Sequence, residues 1–350
     1  MESPKPRLGT PLADEDEVIH SIRGILGNGI EAFGLRDDAA VLRLPAGPLV
    51  VSVDSVVAGV HVDLAFCSPG DVGWKALMGA LSDLAAMGAS PLGAVVALCV
   101  PGPSGRPGPS GSGDGELALG VMEGVAEASA ASACPIVGGD LSQASELAVA
   151  VTVLGTVNDA DADADADAAV AGAPGPVSRS GAQPGDVVLL TGPCGASAAG
   201  LRLLRAGESD NGGRPRAGGA AVAAIRAYWR PVARLRQGMA ARRGGATAMI
   251  DVSDGLALDL HRLADASEVG FALDEVPVAA GATREEALGG GEDYELVFTC
   301  AEGDVAGMAA AFAAEGCAPP TPIGLIVPDP GVRTLAGREL GRLGWRHHVG

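Results

Sequence analysis

Aspartates recur at the ends of apolar runs in this chain. Asp37 and Asp38 open the run in GLRDDAAVL, Asp54 closes LVVSVD, Asp140 follows two glycines in IVGGDLS, and Asp251 closes TAMIDV with Asp254 three residues later. In α/β folds, strand ends and the loops beyond them line the ligand crevice. Carboxylates converging there repel one another unless cations neutralise them. A hard cation such as Mg2+ takes oxygen ligands and keeps phosphate as a co-ligand. Taken singly, each Asp is better read as a turn residue or helix cap: Asp254 follows Ser253, a good N-cap, and would suit a helix dipole anyway. Their recurrence at several strand ends favours metal and phosphate chemistry.

A further acid, Asp83, is the only one in WKALMGALSDLAAMGAS (74–90). Burying an unpaired charge is costly, so it needs a partner. At helical spacing Trp74, Leu77, Met78, Leu81, Leu84 and Ala85 share one face, while Asp83 falls on the other side with Lys75, Gly79 and Ala86. This predicts Asp83 outside the apolar stripe, either paired with a surface cation such as Lys75 or holding a metal among small neighbours. Phosphate could be met by glycine-rich turns at VGGD (137–140), TGPCGASAAG (191–200) and LGGGEDYEL (288–296), whose backbone N–H groups can approach anionic oxygens. Arg179 is either a phosphate clamp or a surface arginine. There is no G-x-x-x-x-G-K-[ST], no H-R-D set, no G-x-S-x-G and no Cys/His pairing. His61, in AGVHVD, is the histidine placed just after an acidic strand end.

The elements that must position these groups alternate along the chain. Strands are predicted at 39–44, 49–54, 92–100 and 147–157, with helices at 73–88 and 115–130. After a low-complexity tract come strands at 186–192, 247–252 and 294–300 and helices at 196–207, 255–267 and 304–316. The alternation predicts an α/β fold of two domains with mixed, α+β-like sheets: residues 1–157, carrying a Pro/Gly/Ser-rich loop at 101–115; an acidic linker, 158–176; and residues 177–350. The linker's alternating aspartates read as a spacer that cannot bury apolar surface. The chain has 350 residues, 3% aromatics, 53 glycines and a net charge of −19. Packing must rely on aliphatic and small side chains, and the charge disfavours nucleic acid and anionic membranes. The six cysteines form no CxxC and read as reduced thiols. The N-terminus has no apolar h-region, and the apolar run 92–100 is too short to span a bilayer, so a cytoplasmic enzyme is expected.

The blocks GLRDDAAVL, VSVDSVVAGVHVD, KALMGALSDLAAMGASP, IVGGDLS, SRSGAQPGDVVLLTG, GASAAGL, IDVSDGLALDL and GGGEDYELVFT occur in order. Together they resemble the thiamine-monophosphate kinase family, in the superfamily that also contains aminoimidazole ribonucleotide synthetase and selenophosphate synthetase. The resemblance implies ATP-dependent phosphorylation of thiamine monophosphate to thiamine diphosphate, the final step of that biosynthesis. It implies several Mg2+ ions held by Asp38, Ser52, Val53, Asp54, Asp83, Asp140, Asp251 and Asp254, with a monovalent cation as a further candidate. It further implies ATP contacts from Gly139, Asp140, Arg179 and Ser253, thiamine contacts from His61, Glu292 and Trp345, no covalent nucleophile, and a homodimer built through the N-terminal domains. The chain departs from the family pattern at Arg36, where glycine is usual, at Val53, which offers only its carbonyl, in GGDLS, and in GWRHHVG. A related synthetase and a silent binding module are the competing readings.

Overall fold

The computed structural model describes residues 15–26, 42, 47–101, 114–157, 175–207 and 218–346. Arg36, Asp37, Asp38, nearly all of the strand expected at 39–44, and most of segments 101–115 and 158–176 lie outside the described residues. The chain forms two compact units.

The first unit contains α1 (Glu15–Leu26), residues 53–80 and the described part of 92–153. Its elements, whole or in part, are β1 (Leu49–Val57), α2 (Pro69–Ala86), β2 (Ser90–Pro101), α3 (Asp114–Ser132), β3 (Ile136–Ala144) and β4 (Ala148–Thr156). The strands make one four-stranded sheet in the order β1-β4-β2-β3, with β2 and β3 parallel. Helix α2 meets α3 backbone to backbone. A Cβ on Gly124 would lie 1.8 Å from the Gly70 carbonyl oxygen, and one on Gly73 would lie 1.9 Å from that of Val121. A chain poor in aromatics thus packs helices by removing side chains at the crossing rather than filling a gap. VGGD, expected as a turn, is strand β3. Gly139 faces Val96 in register, and a Cβ there would stand 2.3 Å from the Val96 carbonyl oxygen, so the glycine serves close strand approach.

The second unit comprises Leu44–Ser52, Leu81–Pro91 and Leu154–Gly350. It adds β5 (Val187–Leu190), α4 (Ala196–Arg205), α5 (Ala220–Trp229), α6 (Leu235–Arg243), β6 (Ala248–Asp251), α7 (Leu256–Ala266), β7 (Gly270–Leu273), α8 (Arg284–Gly289), β8 (Leu296–Cys300), α9 (Val305–Ala314), β9 (Thr321–Val327), β10 (Arg333–Leu335) and β11 (Arg338–Glu339). Its seven-stranded sheet runs β11-β10-β7-β9-β5-β8-β6. Neighbours are antiparallel except β10 and β7, so the sheet is mixed, in keeping with the expected α+β character. Val188, Leu190, Ile250, Leu260, Phe271 and Val297 form part of its core. The C-terminal end of α2 belongs here and rests on α6. A Cβ on Gly238 would meet the Ala85 carbonyl oxygen at 2.0 Å, and the buried Arg242 donates from Nε to the Gly88 carbonyl at 3.0 Å. Among the described residues no helix is long and apolar enough to cross a membrane.

Candidate active site

Helix α2 does not show the polar outer face that its sequence spacing predicted. Lys75 is only 1% exposed, and Gly79, Ala80, Ser82 and Ala86 are buried along with the apolar stripe. A helix packed all round fits its Ala- and Gly-rich composition. Asp83 is therefore a half-buried acid, not a surface one. Its Oδ2 accepts the Ser52 hydroxyl at 2.5 Å. Burial pushes the Asp83 carboxyl above the usual carboxylate range, partly offset by that hydroxyl and by the charge of Arg179. One residue before, Ser82 donates to Asp251 Oδ2 at 2.7 Å. Asp251, at the end of β6, is pushed up to about 7, by burial first and then by the charge of Asp83. Asp251 thus feels the charge of Asp83, and the charge of Arg179 acts to lower both.

Beyond Asp251 the chain turns through Ser253, Asp254 and Gly255 into α7. The expected cap is not Ser253: the N-cap is Gly255, at φ 127°, with no side-chain cap. Asp259, which sequence reasoning missed, takes over that task. Its Oδ2 accepts from the backbone N–H of Ser253, Asp254 and Gly255 at 3.1, 3.0 and 3.1 Å. Two further predicted residues hang on this loop by their backbones. Glu292 N–H donates to the Ser253 carbonyl at 2.7 Å, and Trp345 N–H to that of Asp254 at 2.9 Å. Glu292 and Tyr294 both sit at positive φ, 65° and 52°, a conformation that β-carbon sterics disfavour and the packed loop must hold. Ser253, Asp254, Glu292 and Trp345, scattered in sequence, are brought together.

The glycine-rich turn TGPCGASAAG does not offer its N–H groups to an outside anion. Gly195 and Ser197, at the start of α4, donate to Asp293 at 2.6 and 3.2 Å. Burial still pushes the Asp293 carboxyl up to about 7. Glu295, two residues on, is buried against Arg234 (Nη2 to Oε1, 2.5 Å; Nε to Oε2, 3.1 Å) and the Thr191 hydroxyl (2.5 Å). Losing one partner of such a pair typically costs about 3–5 kcal/mol.

In the first unit, Asp54 accepts from Ser55 N–H at 2.7 Å, and Asp140, on exposed β3, accepts the Ser142 hydroxyl at 2.6 Å. Val53 turns its side chain to the opposite face of β1 from Ser52 and Asp54, leaving the carbonyl as its only donor oxygen. His61 Nδ1 accepts from Val57 N–H at 3.1 Å, so this ring carries its proton on Nε2 when neutral. Among the described residues no group of three or more His, Cys, Asp and Glu is arranged to hold a metal ion. What does fit Mg2+ is the donor chemistry around Asp83 and Asp251: carboxylate and hydroxyl oxygens only, with two acids that ionise reluctantly together. Burial pushes the Cys134 thiol up to about 12 and that of Cys300 to about 11, which makes these two inert.

Residues 36–157 match the N-terminal domain of AIR synthase related proteins and residues 183–336 the C-terminal domain. The chain is 30% identical over 346 residues to a thiamine-monophosphate kinase of Methanospirillum hungatei JF-1, covering 96% of this chain and 99% of that protein. The chain belongs to the thiamine-monophosphate kinase family. It is accordingly an enzyme, a phosphotransferase. A solved thiamine-monophosphate kinase from Stenotrophomonas maltophilia K279a superposes with a TM-score of 0.74 at 28% identity, covering 93% of this chain and 96% of the other. The structure of AaThiL complexed with AMPPCP and TMP gives a TM-score of 0.70 at 26% identity, covering 95% and 96%. Asp259 and Asp293 each lie a few residues from acids with expected roles, and neither stands out by residue type. The sequence offers only their positions, Asp259 four residues after Gly255 and Asp293 after three glycines and Glu292; the amides they accept from are set by the fold.

Proposed function

We propose that this chain transfers the γ-phosphoryl group of ATP directly to the phosphate of thiamine monophosphate, giving thiamine diphosphate and ADP. The observation that carries this reading is a pair of acids, Asp83 and Asp251, each accepting its own serine hydroxyl and the first acting by its charge on the second, in a chain of the thiamine-monophosphate kinase family. The complex of AaThiL with AMPPCP and TMP supports the two-substrate assignment. The acceptor oxygen is already anionic at neutral pH, so the chain needs neither a side-chain nucleophile nor a general base. Its task is to align the two phosphates and offset their charge. Bound Mg2+ supplies positive charge to the phosphate oxygens. In this reading Asp38, Ser52, the Val53 carbonyl, Asp54, Asp83, Asp140, Asp251 and Asp254 hold it. Arg179, whose charge already acts on Asp83 and Asp251, meets ATP together with Gly139, Asp140 and Ser253. His61, Glu292 and Trp345 position the thiamine substrate. The chain acts as a homodimer through its N-terminal domain.

The test is separation of thiamine diphosphate by chromatography, with coupled detection of ADP, at saturating ATP, Mg2+ and thiamine monophosphate. Stoichiometric formation of the two products is expected. No thiamine diphosphate under those conditions overturns the proposal.

A further inference from the structure

Asp259 is fully buried, and its two oxygens have different tasks. Oδ2 takes the three successive N–H groups of Ser253, Asp254 and Gly255. Oδ1 accepts from Arg262 Nη1 at 2.6 Å, and the same Nη1 donates to Asp254 Oδ2, also at 2.6 Å. Asp254 is therefore held at both ends, its N–H by Asp259 directly and its carboxylate through Arg262. Charge-assisted bonds of this kind are short and strong, and a guanidinium fixes geometry as well as charge. The same loop carries the backbones of Glu292 and Trp345. One buried carboxylate thus sets the place of four residues that the kinase reading assigns to metal, nucleotide or thiamine.

We propose that Asp259 and Arg262 are a positioning pair for the kinase reaction, holding Ser253 and Asp254 in their working geometry before any ligand arrives. This rests on the site assigned under the proposed function. The bland competitor is that Asp259 merely caps α7 and Arg262 merely neutralises an acidic patch. The two accounts differ in sign at Arg262. Removing a positive charge beside Asp254 should tighten Mg2+ binding if Arg262 acts only by charge, whereas loss of the Asp254 orientation should weaken it.

Two variants probe the link from opposite sides. Asp259→Asn keeps a carbonyl oxygen for the three amides but turns N–H toward Arg262. Arg262→Gln keeps the Asp259 carboxylate but removes the guanidinium that anchors it, and releases the Asp254 carboxylate. For each, the Mg2+ concentration giving half-maximal turnover should rise about tenfold or more, since losing a group that orients a metal ligand typically costs about 10–100-fold in metal affinity. The double variant should be no worse than either single, because both cut one link. In substrate-free protein, amide exchange at Ser253–Gly255, followed by mass spectrometry, should quicken in both. A lowered half-saturation in Arg262→Gln, additive effects in the double variant, or unchanged exchange would each overturn the proposal. Should the wild-type chain fail to make thiamine diphosphate, the proposed function falls by itself and the exchange measurement still decides whether the pair holds the loop.

Discussion

Asp83 takes its character from its surroundings: a half-buried carboxylate on a helix packed nearly all round, bonded to Ser52 and in electrostatic contact with Asp251. Because burial disfavours its charged form, Asp83→Asn should leave the melting temperature unchanged or higher at pH 8, while ADP release falls at least about 100-fold, as expected when a charge-stabilising group is lost. Wild-type turnover in that variant would remove Asp83 from the proposed metal set. Asp293 gives a pH-dependent counterpart. Its unfolded carboxyl ionises near the ordinary value of 3.8, but the folded one keeps its proton up to about 7. Between those values the native state binds more protons, so stability falls as pH rises, by at most about 1.4 kcal/mol per pH unit for one group. Asp293→Asn deletes that contribution. Urea midpoints measured at pH 4.5 and 7.5 should therefore drop less in the variant than in the wild type, and equal drops would place the slope on other groups. Residue identity alone revealed Asp83, a lone acid in an apolar run. It did not reveal Asp259 or Asp293, whose roles depend on which backbone amides the fold turns toward them.

At the level of elements, long apolar runs such as β2, β4 and β8 were legible because strand periodicity and length were both present. The elements that escaped had glycine or arginine where a pattern reader expects loop. Strand β3 contains Gly138 and Gly139, which permit close approach to β2 and look like a turn when seen alone. Helix α6, LRQGMAARR, buries Leu235, Gly238, Ala240, Ala241 and the whole of Arg242, so its inner face has little hydrophobic signature. The glycines also separate tight crossings from open surface, and one substitution should have opposite signs at the two kinds of place. Gly124→Ala would drive a Cβ to 1.8 Å from the Gly70 carbonyl oxygen and should destabilise by about 1–3 kcal/mol through overpacking. Gly307→Ala, on α9, meets nothing within 4 Å and should stabilise by up to about 1 kcal/mol through helix propensity. Chemical denaturation of the two variants measures both. Equal effects at the two sites would mean that the α2–α3 crossing relaxes to admit a methyl group.

For the whole molecule, the net charge of −19 works against association, since copies of the chain repel one another. A homodimer must therefore rest on apolar contact strong enough to outweigh that repulsion. Strand β1, at the edge of the four-stranded sheet among the described residues, exposes Leu49, Val51 and Val53 at 42%, 55% and 64%, alternating on one face. An edge strand carrying an apolar row is a feature that proteins usually cover or pair. Salt screens the repulsion over roughly 10 Å at 0.1 M but leaves apolar burial intact, so dimerisation of the wild type should strengthen as NaCl is raised from 0.01 to about 0.15 M. Val51→Glu places a charge in the middle of the row and adds to the repulsion. It should weaken the dimer by at least about 100-fold, the effect of roughly 2.7 kcal/mol from a charge without a partner in an apolar contact. Val222→Glu, an isolated exposed valine on α5, is the control and should leave association close to wild type. Sedimentation equilibrium of the three proteins decides the matter. If Val51→Glu stays dimeric while Val222→Glu falls apart, the contact lies away from β1, and the proposed dimer through this strand is excluded in favour of one that includes α5.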